Sequence, residues 1–301
     1  MNVFMTGGTG FVGTTLSAAL AAKGGQVTVL TRSAGRESSV PPGVTLVEGD
    51  PTEKGPWQEE AAGHDVIINM AGASIFNRWS RETKKAIRDS RILTTRHLAE
   101  AVSGRGDKQT LFLSTSAVGY YGFHGDEALD ESGPPGDDFL ADVCMHWEAE
   151  ARTASQSGAR VVICRFGIVL GTRGGALGEM LPLFRKGLGS PLGSGKQWVS
   201  WVHERDLVNI YLHLMARKDM AGPINCTAPN PVRNRKLAEA LSRAVGKPFL
   251  MPAVPGFMLK LIKGEVGSIL LKGQKVLPEK LLGSGFRFEF TTIEDALEDL
   301  V

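Results

Sequence analysis

The stretch Met5-Thr6-Gly7-Gly8-Thr9-Gly10-Phe11-Val12-Gly13 decides the fold of this chain. A short apolar run precedes it, and an amphipathic stretch over residues 11–23 follows it. Strand, glycine-rich turn and helix in this order lay a dinucleotide pyrophosphate on a helix N-terminus. Gly7 permits the tight turn, Gly10 lets the backbone approach phosphate, and Gly13 lets the helix pack closely on the strand. The residues predicted to bind the dinucleotide here are Gly7, Thr9, Gly10, Phe11, Val12 and Gly13.

The first half of the chain alternates strand and helix patterns. Further strands are predicted at 26–31, 44–47, 65–69, 109–113 and 159–164. A helix is predicted over 82–102, with Ala86, Ile87, Leu93, Leu98 and Ala101 on its buried side. Helices between strands predict an α/β fold, a doubly wound parallel Rossmann sheet with right-handed crossovers. Ligands of such sheets bind at the carboxyl ends of the strands.

After residue 165 the alternation stops and glycine becomes frequent. Helices are predicted at 177–186, 204–216, 235–245, 257–263 and 292–300. We therefore predict a dinucleotide-binding domain over residues 1–170. A smaller α-rich lobe over 171–301 is expected to cover the strand ends, with elements from 200–230 returning to the first domain.

Bulk properties exclude several classes of protein. The 301 residues carry a net charge of +2 and are 42% hydrophobic. There is no basic stripe for nucleic acid and no 18-residue apolar run for a membrane span, so neither partner is expected. The first strand begins at residue 2, which predicts no signal peptide. Three separated cysteines, Cys144, Cys164 and Cys226, predict buried reduced thiols and a cytoplasmic location, whereas the oligomeric state stays open.

The end of the second predicted strand selects the cofactor. An Asp or Glu there would bind a ribose 2′-hydroxyl, whereas a 2′-phosphate favours Arg. The chain has Thr31-Arg32-Ser33, with Arg36 close behind and no acid before Glu37. Arg32 can pair with phosphate and Thr31 can donate a hydroxyl, which predicts NADP(H); the alternative is a solvated surface arginine.

Other residues are candidates for the rest of the cofactor. Asp50 is placed to accept from the adenine amino group, or it is an ordinary turn aspartate. Met70, Ala71 and Gly72 would let the adenosine side lie close, although a tight turn explains such residues equally well. Arg91, on the predicted helix, can reach the phosphates or form a surface salt bridge.

Several motifs together resemble the extended short-chain dehydrogenase/reductases, which include nucleotide-sugar epimerases and dehydratases. The motifs are residues 6–13, Gly49-Asp50, residues 69–72 and residues 114–118. Residues 139–148, 165–171, 193–195, 201–207 and 271–278 are similar to an atypical branch called epimerase family proteins, over essentially the whole chain. Some relatives in this branch carry a cell-division-inhibitor label. The resemblance implies that the Val169 main chain contacts the nicotinamide carboxamide; plain packing of Val169 is the alternative.

The wider superfamily uses a Ser, a Tyr and a Lys, the last two in a YxxxK pattern. Ser116, after the fifth predicted strand, matches the serine that steadies the substrate oxygen; a strand-end hydroxyl bonded to backbone is the alternative. The YxxxK pair is absent, since helix 138–154 offers Leu140 and Cys144 at those positions. Tyr120 and Tyr121 are predicted to face the crevice and are candidates for another proton relay; packing with a satisfied hydroxyl explains each of them equally well.

Two functions follow from these observations. The first is an NADP(H)-dependent oxidoreductase or nucleotide-sugar-epimerase-like enzyme acting on a small, sugar-like substrate, with Ser116, Tyr120 and Tyr121 as its candidate catalytic residues. The second is a noncatalytic NADP(H)-binding regulator, which the missing YxxxK pair favours. The sequence contains no feature that identifies the substrate.

Overall fold

The computed structural model describes residues 1–33, 40–104 and 110–301. The strands that it contains are β1 (Asn2–Thr6), β2 (Gln26–Thr31), β3 (Val44–Glu48), β4 (Val66–Asn69), β5 (Leu111–Ala117), β6 (Ala128–Leu129), β7 (Arg160–Phe166), β8 (Ile168–Leu170), β9 (Trp198–Val199), β10 (Trp201–His203), β11 (Gly222–Cys226), β12 (Val232–Arg233) and β13 (Lys275–Val276). The helices are α1 (Phe11–Ala22), α2 (Trp57–Ala62), α3 (Arg81–Ser103), α4 (Phe139–Thr153), α5 (Gly175–Arg185), α6 (Glu204–Ala216), α7 (Asn234–Ala244), α8 (Gly256–Lys263), α9 (Glu265–Ile269), α10 (Glu279–Gly283) and α11 (Ile293–Leu300). Arg36, Glu37 and Gln109, which the sequence analysis used, lie outside the described residues.

Seven parallel strands form the central sheet of the described chain, in the order β11-β7-β5-β4-β1-β2-β3. The order reverses beside β1, so that β1 and β4 flank a crevice at their carboxyl ends. The predicted doubly wound Rossmann sheet is therefore confirmed. The seventh strand, β11, comes from the second half of the chain and pairs with β7. The division into two domains remains a prediction.

Side chains alternate between the two faces of the central sheet, and each face packs against its own apolar layer. Val3 and Met5 face a core that α1 and α6 complete, whereas Phe4 faces the opposite core beneath α2, α3 and α4. A third apolar cluster packs α5, α7 and α11 against one another. No helix of the described residues is both long and apolar enough to cross a bilayer.

Two of the sequence predictions about these elements are wrong. Ala86 is exposed, because the buried stripe of α3 begins at Ile87 and follows one face only. The strand predicted at 109–113 extends to Ala117 as β5, so that Ser116 lies inside the strand and pairs with Arg165 of β7. The ladder with β7 extends the strand through three small polar residues that have no apolar pattern of their own.

Residues 271–280 form a segment, here called the strap, that crosses the carboxyl ends of β5, β7 and β11. The strap accepts a hydrogen bond from His124 N at Gly273 O, 3.2 Å. Gln274 Nε2 donates to Val118 O at 2.9 Å, and Asn225 Nδ2 donates to Leu277 O at 2.9 Å. A Cβ on Gly273 would lie 2.0 Å from Trp198 O, so only glycine permits this close crossing.

Candidate functional site

The glycine turn between β1 and α1 has the shape of a phosphate cradle. Gly7 adopts φ +71°, and a Cβ there would lie 2.6 Å from the carbonyl of Met70. Gly10 N donates to Gly7 O at 3.0 Å, and Gly10 is the N-cap of α1 without a side-chain cap. A Cβ on Gly13 would lie 2.1 Å from Gly7 O, so Gly13 lets the helix close on the turn as well as on the strand. The first amides of α1 are thus left for an anion.

A cleft of about 200 Å³ opens beside this turn. Its lining residues are Gly7, Thr9, Leu30, Thr31, Arg32, Ser33, Asp50, Pro51, Thr52, Ala71, Gly72, Ala73, Ser90 and Thr94. The structure therefore brings together seven of the predicted cofactor residues, from the ends of β1, β2, β3 and β4.

Arg32 and Asp50 occupy the far end of the cleft, after β2 and β3. Arg32 is exposed and lines the cleft with Thr31, which is buried at the end of β2. Asp50 Oδ1 accepts hydrogen bonds from Thr52 N at 2.8 Å and Thr52 Oγ1 at 2.6 Å. Burial raises the pKa of the Asp50 carboxyl, but the bonds from Thr52 and the charge of Arg32 together outweigh it and hold the pKa below its ordinary value. Asp50 therefore orders its own turn while it lines the cleft.

A buried polar network fixes the end of β4. Thr6 Oγ1 donates to Asn69 Oδ1 at 2.8 Å, and Asn69 Nδ2 donates to Thr95 Oγ1 at 2.7 Å. The main chain then turns through Met70, Ala71 and Gly72 above Gly7. Ala73 N donates to Ser90 Oγ at 2.9 Å, which anchors this turn to α3. The small residues thus serve the turn and leave the cleft open.

Arg91 of α3 lies immediately behind this turn. A Cβ on Gly72 would be 3.0 Å from Arg91 Cζ. Arg91 Nη1 donates to Ala73 O at 3.1 Å and to Ile87 O at 3.0 Å, and the guanidinium lies 5.3 Å from the Trp147 ring centroid. Burial lowers the pKa of Arg91. The predicted alternative, a surface salt bridge, is wrong for the described residues, since none of their carboxylates pairs with it.

Phe11, Val12 and Val169 do not line the cleft. Phe11 packs beneath the loop after β8, where a Cβ on Gly174 would be 3.1 Å from Phe11 Cβ. Val12 and Val169 are partly buried against the core beneath α1 and α6. Val169 belongs to β8, which pairs in parallel with β10.

These features fit a dinucleotide. Gly7 and Gly13 make a cradle that a side chain would fill. Thr94 Oγ1, buried beside the cleft, has no hydrogen-bond partner among the described residues. The Nε and Nη2 atoms of Arg91 have no hydrogen-bond partner among the described residues either. A phosphate-bearing ligand would complete each of these groups.

A second polar group, here called the buried cluster, lies where β5 and β7 end, beneath the strap. Ser116 Oγ donates to Glu148 Oε1 at 2.8 Å. Arg165 donates to the same carboxylate through Nε at 2.7 Å and Nη2 at 2.9 Å. Arg152 Nη2 adds a bond of 2.8 Å to Glu148 Oε2. Burial lowers the pKa of Arg165, but the hydrogen bonds of Glu148 outweigh it and raise the pKa above its ordinary value.

The two predicted tyrosines differ in their surroundings. Tyr121 is fully buried, accepts from Arg165 Nη1 at 2.8 Å and donates to Asn225 Oδ1 at 2.7 Å. Burial raises the pKa of Tyr121 to about 12. Tyr120 is partly buried, and its ring centroid lies 3.5 Å from Arg165 Cζ. The structure thus places Tyr121 inside the buried cluster and Tyr120 at its edge.

The helix that carries the YxxxK pair in the wider superfamily holds apolar groups here. Cys144 is buried, and burial raises the pKa of its thiol to about 11, with a further contribution from Glu148. Leu140 is partly buried, and a Cβ on Gly119 would lie 3.6 Å from Leu140 Cβ. Neither side chain can exchange a proton near neutral pH.

The sequence analysis missed two acids of this region. Glu148 lies one turn after Cys144 in α4, and Glu131 lies in a loop rich in acidic residues, where a solvated side chain is the ordinary expectation. Glu131 is buried instead, and its Oε1 accepts from Asn225 N at 3.0 Å. Burial raises the pKa of Glu131. The Glu148 position on the apolar face of α4 was the available signal, because a carboxylate is rarely buried without a partner.

Fold and site together define a Rossmann protein of the extended short-chain dehydrogenase type. The chain belongs to the NAD dependent epimerase/dehydratase family, whose profile matches residues 3–226. A domain of unknown function, DUF1731, matches residues 254–300, which include the strap. The resemblance seen in the sequence is thereby confirmed, as is a nicotinamide dinucleotide as the cofactor class of the family.

Relatives of known name cover nearly the whole chain. The chain is 39% identical to the chloroplastic epimerase family protein SDR39U1 homolog of Arabidopsis thaliana, over 100% of this chain and 87% of that protein. It is 37% identical to the epimerase family protein YfhF of Bacillus subtilis, over 100% of this chain and 98% of that protein. The crystal structure of human epimerase family protein SDR39U1 (isoform2) with NADPH is 34% identical, with a TM-score of 0.87 over 100% of this chain and 99% of that chain.

Proposed function

We propose that the chain binds NADP(H) in the cleft and acts as an NADP(H)-dependent oxidoreductase or epimerase-like enzyme on a small, sugar-like substrate. One observation carries the cofactor choice: the cleft ends at Arg32, with Thr31 and Ser33 beside it and no carboxylate at the end of β2. A 2′-phosphate would be met there by a guanidinium and hydroxyls. The NADPH in the human relative supports the same choice.

The residues that would hold the cofactor follow the cleft from β3 to β4. Asp50 and Arg32 would meet the adenosine end, whereas the turn at Gly7, Thr9 and Gly10 would meet the pyrophosphate. Ala71 and Gly72 would lie against the cofactor without a side-chain obstacle. When bound, the nicotinamide supplies hydride transfer.

Proton transfer in this proposal depends on Tyr120. Ser116 and Tyr121 already donate within the buried cluster, and the high pKa of Tyr121 opposes its ionisation near neutral pH. Tyr120 is the candidate hydroxyl that is partly exposed, and it lies against the cationic Arg165.

The cofactor proposal is tested by titrating NADPH and NADH into the purified chain and into Arg32→Glu. We expect NADPH affinity to fall by about tenfold or more, since one charged hydrogen-bonded contact is lost and a repulsive charge is added. NADH affinity should hold or rise. Equal loss of both affinities would contradict the assignment of Arg32 to the 2′-phosphate. Arg78→Glu, another basic residue on a loop, is the control.

Turnover is tested with a panel of nucleotide sugars and carbonyl compounds, with Tyr120→Phe as the variant. We expect turnover by the unsubstituted chain to fall by about 10²-fold or more in Tyr120→Phe while NADPH affinity is retained. Unchanged turnover in Tyr120→Phe would exclude Tyr120 as the residue that transfers the proton.

The second candidate function is a noncatalytic NADP(H)-binding regulator. It is favoured by the closure of the buried cluster, in which the Ser116 and Tyr121 hydroxyls have partners beneath the strap. Inertness of the whole panel, with a co-purifying protein released by NADP⁺, would support this function over the enzyme. Absence of NADPH and NADH binding at high micromolar concentration would exclude both functions.

A further inference from the structure

Helix α8 has an apolar face that nothing in the described chain covers. None of its eight residues is buried. Four large apolar side chains of α8 are exposed, by 72% at Phe257, 41% at Met258, 78% at Leu261 and 64% at Ile262. At about 100° per residue, these four lie within about 140° of the helical wheel. Single exposed apolar residues are ordinary, whereas four on one face of a short helix are typical of an interaction surface.

The rest of the molecule holds α8 from its other side. Helix α9 packs on the backbone of α8, where a Cβ on Gly267 would lie 2.2 Å from Leu259 O. Main-chain bonds fix the segment before α8, since Gly193 N donates to Val254 O at 2.9 Å and Val254 N donates to Pro191 O at 2.9 Å. The Leu259 side of α8 is therefore attached, and the apolar face protrudes from the surface instead of lining a groove.

The charge around this apolar face is positive. Lys260 and Lys263 are exposed on α8, which contains no acid. Arg78, also exposed, lies beside the end of α8, where a Cβ on Gly264 would be 3.5 Å from Arg78 Nε. None of these three cations has a carboxylate partner among the described residues, and Glu265, the acid that follows α8, forms an ion pair with α3. Uncompensated cations around an apolar face attract an anionic surface.

Shape and charge together select what this face binds. A second copy docked through the same face would bring the uncompensated cations of both copies into one interface. A peptide that fills an apolar groove does not suit a face that protrudes. A bilayer with anionic headgroups satisfies both properties, because protruding apolar side chains enter the boundary of headgroups and acyl chains while basic side chains meet the phosphates. Adsorption of this kind does not require a helix long enough to cross the bilayer.

We propose that α8 docks the protein on a bilayer surface that carries anionic phospholipids. Phe257 and Leu261 are the main apolar anchors, and Lys260, Lys263 and Arg78 supply the electrostatic attraction. This proposal goes beyond the proposed NADP(H) function and does not depend on it, because no residue of α8 lines the cofactor cleft.

The apolar contribution is tested by co-sedimentation of the purified chain with vesicles of equimolar phosphatidylcholine and phosphatidylglycerol. The unsubstituted chain should bind, and Leu261→Gln should weaken binding by about tenfold, since one anchoring side chain is lost. Leu282→Gln, at another exposed leucine, on α10, is the matched control and should bind as the unsubstituted chain does. Urea unfolding should give both variants the stability of the unsubstituted chain, because the replaced side chains are exposed.

The electrostatic contribution is tested with Lys260→Gln combined with Lys263→Gln. This double variant should weaken binding to the same vesicles by about tenfold or more, since each basic residue near an anionic surface contributes about fivefold. Lys23→Gln combined with Lys218→Gln is the matched control, at two exposed lysines that follow α1 and α6. Binding of the unsubstituted chain should fall as the ionic strength rises, and it should be weak on vesicles of phosphatidylcholine alone.

Four results would overturn the proposal. They are absence of binding to the mixed vesicles, equal binding to phosphatidylcholine alone, unchanged binding in Leu261→Gln, and an equal loss in the Lys23 and Lys218 control. A concentration-dependent dimer in analytical ultracentrifugation that is lost in Leu261→Gln, without vesicle binding, would assign α8 to a second copy instead. None of these measurements involves a nicotinamide cofactor, so failure here and failure of the proposed function are seen separately.

Discussion

The cofactor cleft and the buried cluster lie at the carboxyl ends of one sheet but are built in opposite ways. In the cleft the turns are made of small residues, Arg91 has no carboxylate partner among the described residues, and the charge of the exposed Arg32 acts on Asp50. In the buried cluster Glu148 is bonded to Ser116, Arg152 and Arg165. The strap closes the buried cluster from above.

This difference distinguishes a part of the molecule whose polar groups are open to a ligand from a part whose polar groups already have partners. Open donors and glycine turns are features that a ligand completes, whereas paired charges and donated hydroxyls are already complete without one. The cleft therefore has the small-residue turns and open donors that the proposed NADP(H) site needs. The place where the wider superfamily has its Ser, Tyr and Lys has become a folded, internally bonded unit, with Tyr120 as its partly exposed edge.

The largest effect is expected from Glu148→Ala, which breaks the buried cluster. Arg165 would be left as a buried charge without its partner, at a cost of about 3–5 kcal/mol of unfolding free energy. The measurement is urea unfolding. Glu150→Ala is the control, because Glu150 pairs with Arg96 near the surface, where a salt bridge contributes up to about 1 kcal/mol. A loss in Glu148→Ala no larger than that of the control would contradict the role of the cluster.

The next effect concerns the cleft. Gly7→Ala would place a Cβ 2.6 Å from the Met70 carbonyl at a positive φ, which costs on the order of 1–3 kcal/mol and deforms the cradle. We expect NADPH affinity to fall by about 10²-fold, measured by fluorescence titration. Gly178→Ala, in α5 with open space around its Cβ position, should leave affinity unchanged and gain up to about 1 kcal/mol. Normal affinity in Gly7→Ala would remove the glycine turn from the site.

The smallest effect comes from Tyr121→Phe. Loss of one buried hydroxyl should cost about 1–2 kcal/mol at pH 7. The folded pKa of about 12 lies above the ordinary value of 10.0. At pH values between these two, the folded state therefore binds more protons than the unfolded state. The contribution of Tyr121 is therefore full below pH 10 and is lost as the pH rises towards 12. Urea unfolding of the unsubstituted chain and of Tyr121→Phe from pH 8 to 11 should show the difference between their unfolding free energies shrink. A constant difference would place Tyr121 in contact with water.

Prediction from sequence succeeded where a pattern is local. The turn at Gly7, the strand end at Arg32 and the alternation of strand and helix are read from neighbouring residues, since a glycine turn and a period-two strand each have a short signature. Prediction failed at Ser116, which was placed after a strand that ends earlier. Its strand continues because β7 pairs with it residue by residue, and that partner lies 49 positions away in the register Ser116–Arg165.

The sequence by itself determined the Rossmann class, the dinucleotide turn and the basic residue at the end of β2. Only the tertiary structure decided that Glu148, Arg165 and Tyr121 satisfy one another, and that Arg91 has no acid to pair with in the described part of the chain. The physical reason is that a backbone turn is fixed by residues next to it. The state of a buried charge depends on which side chains from distant elements surround it.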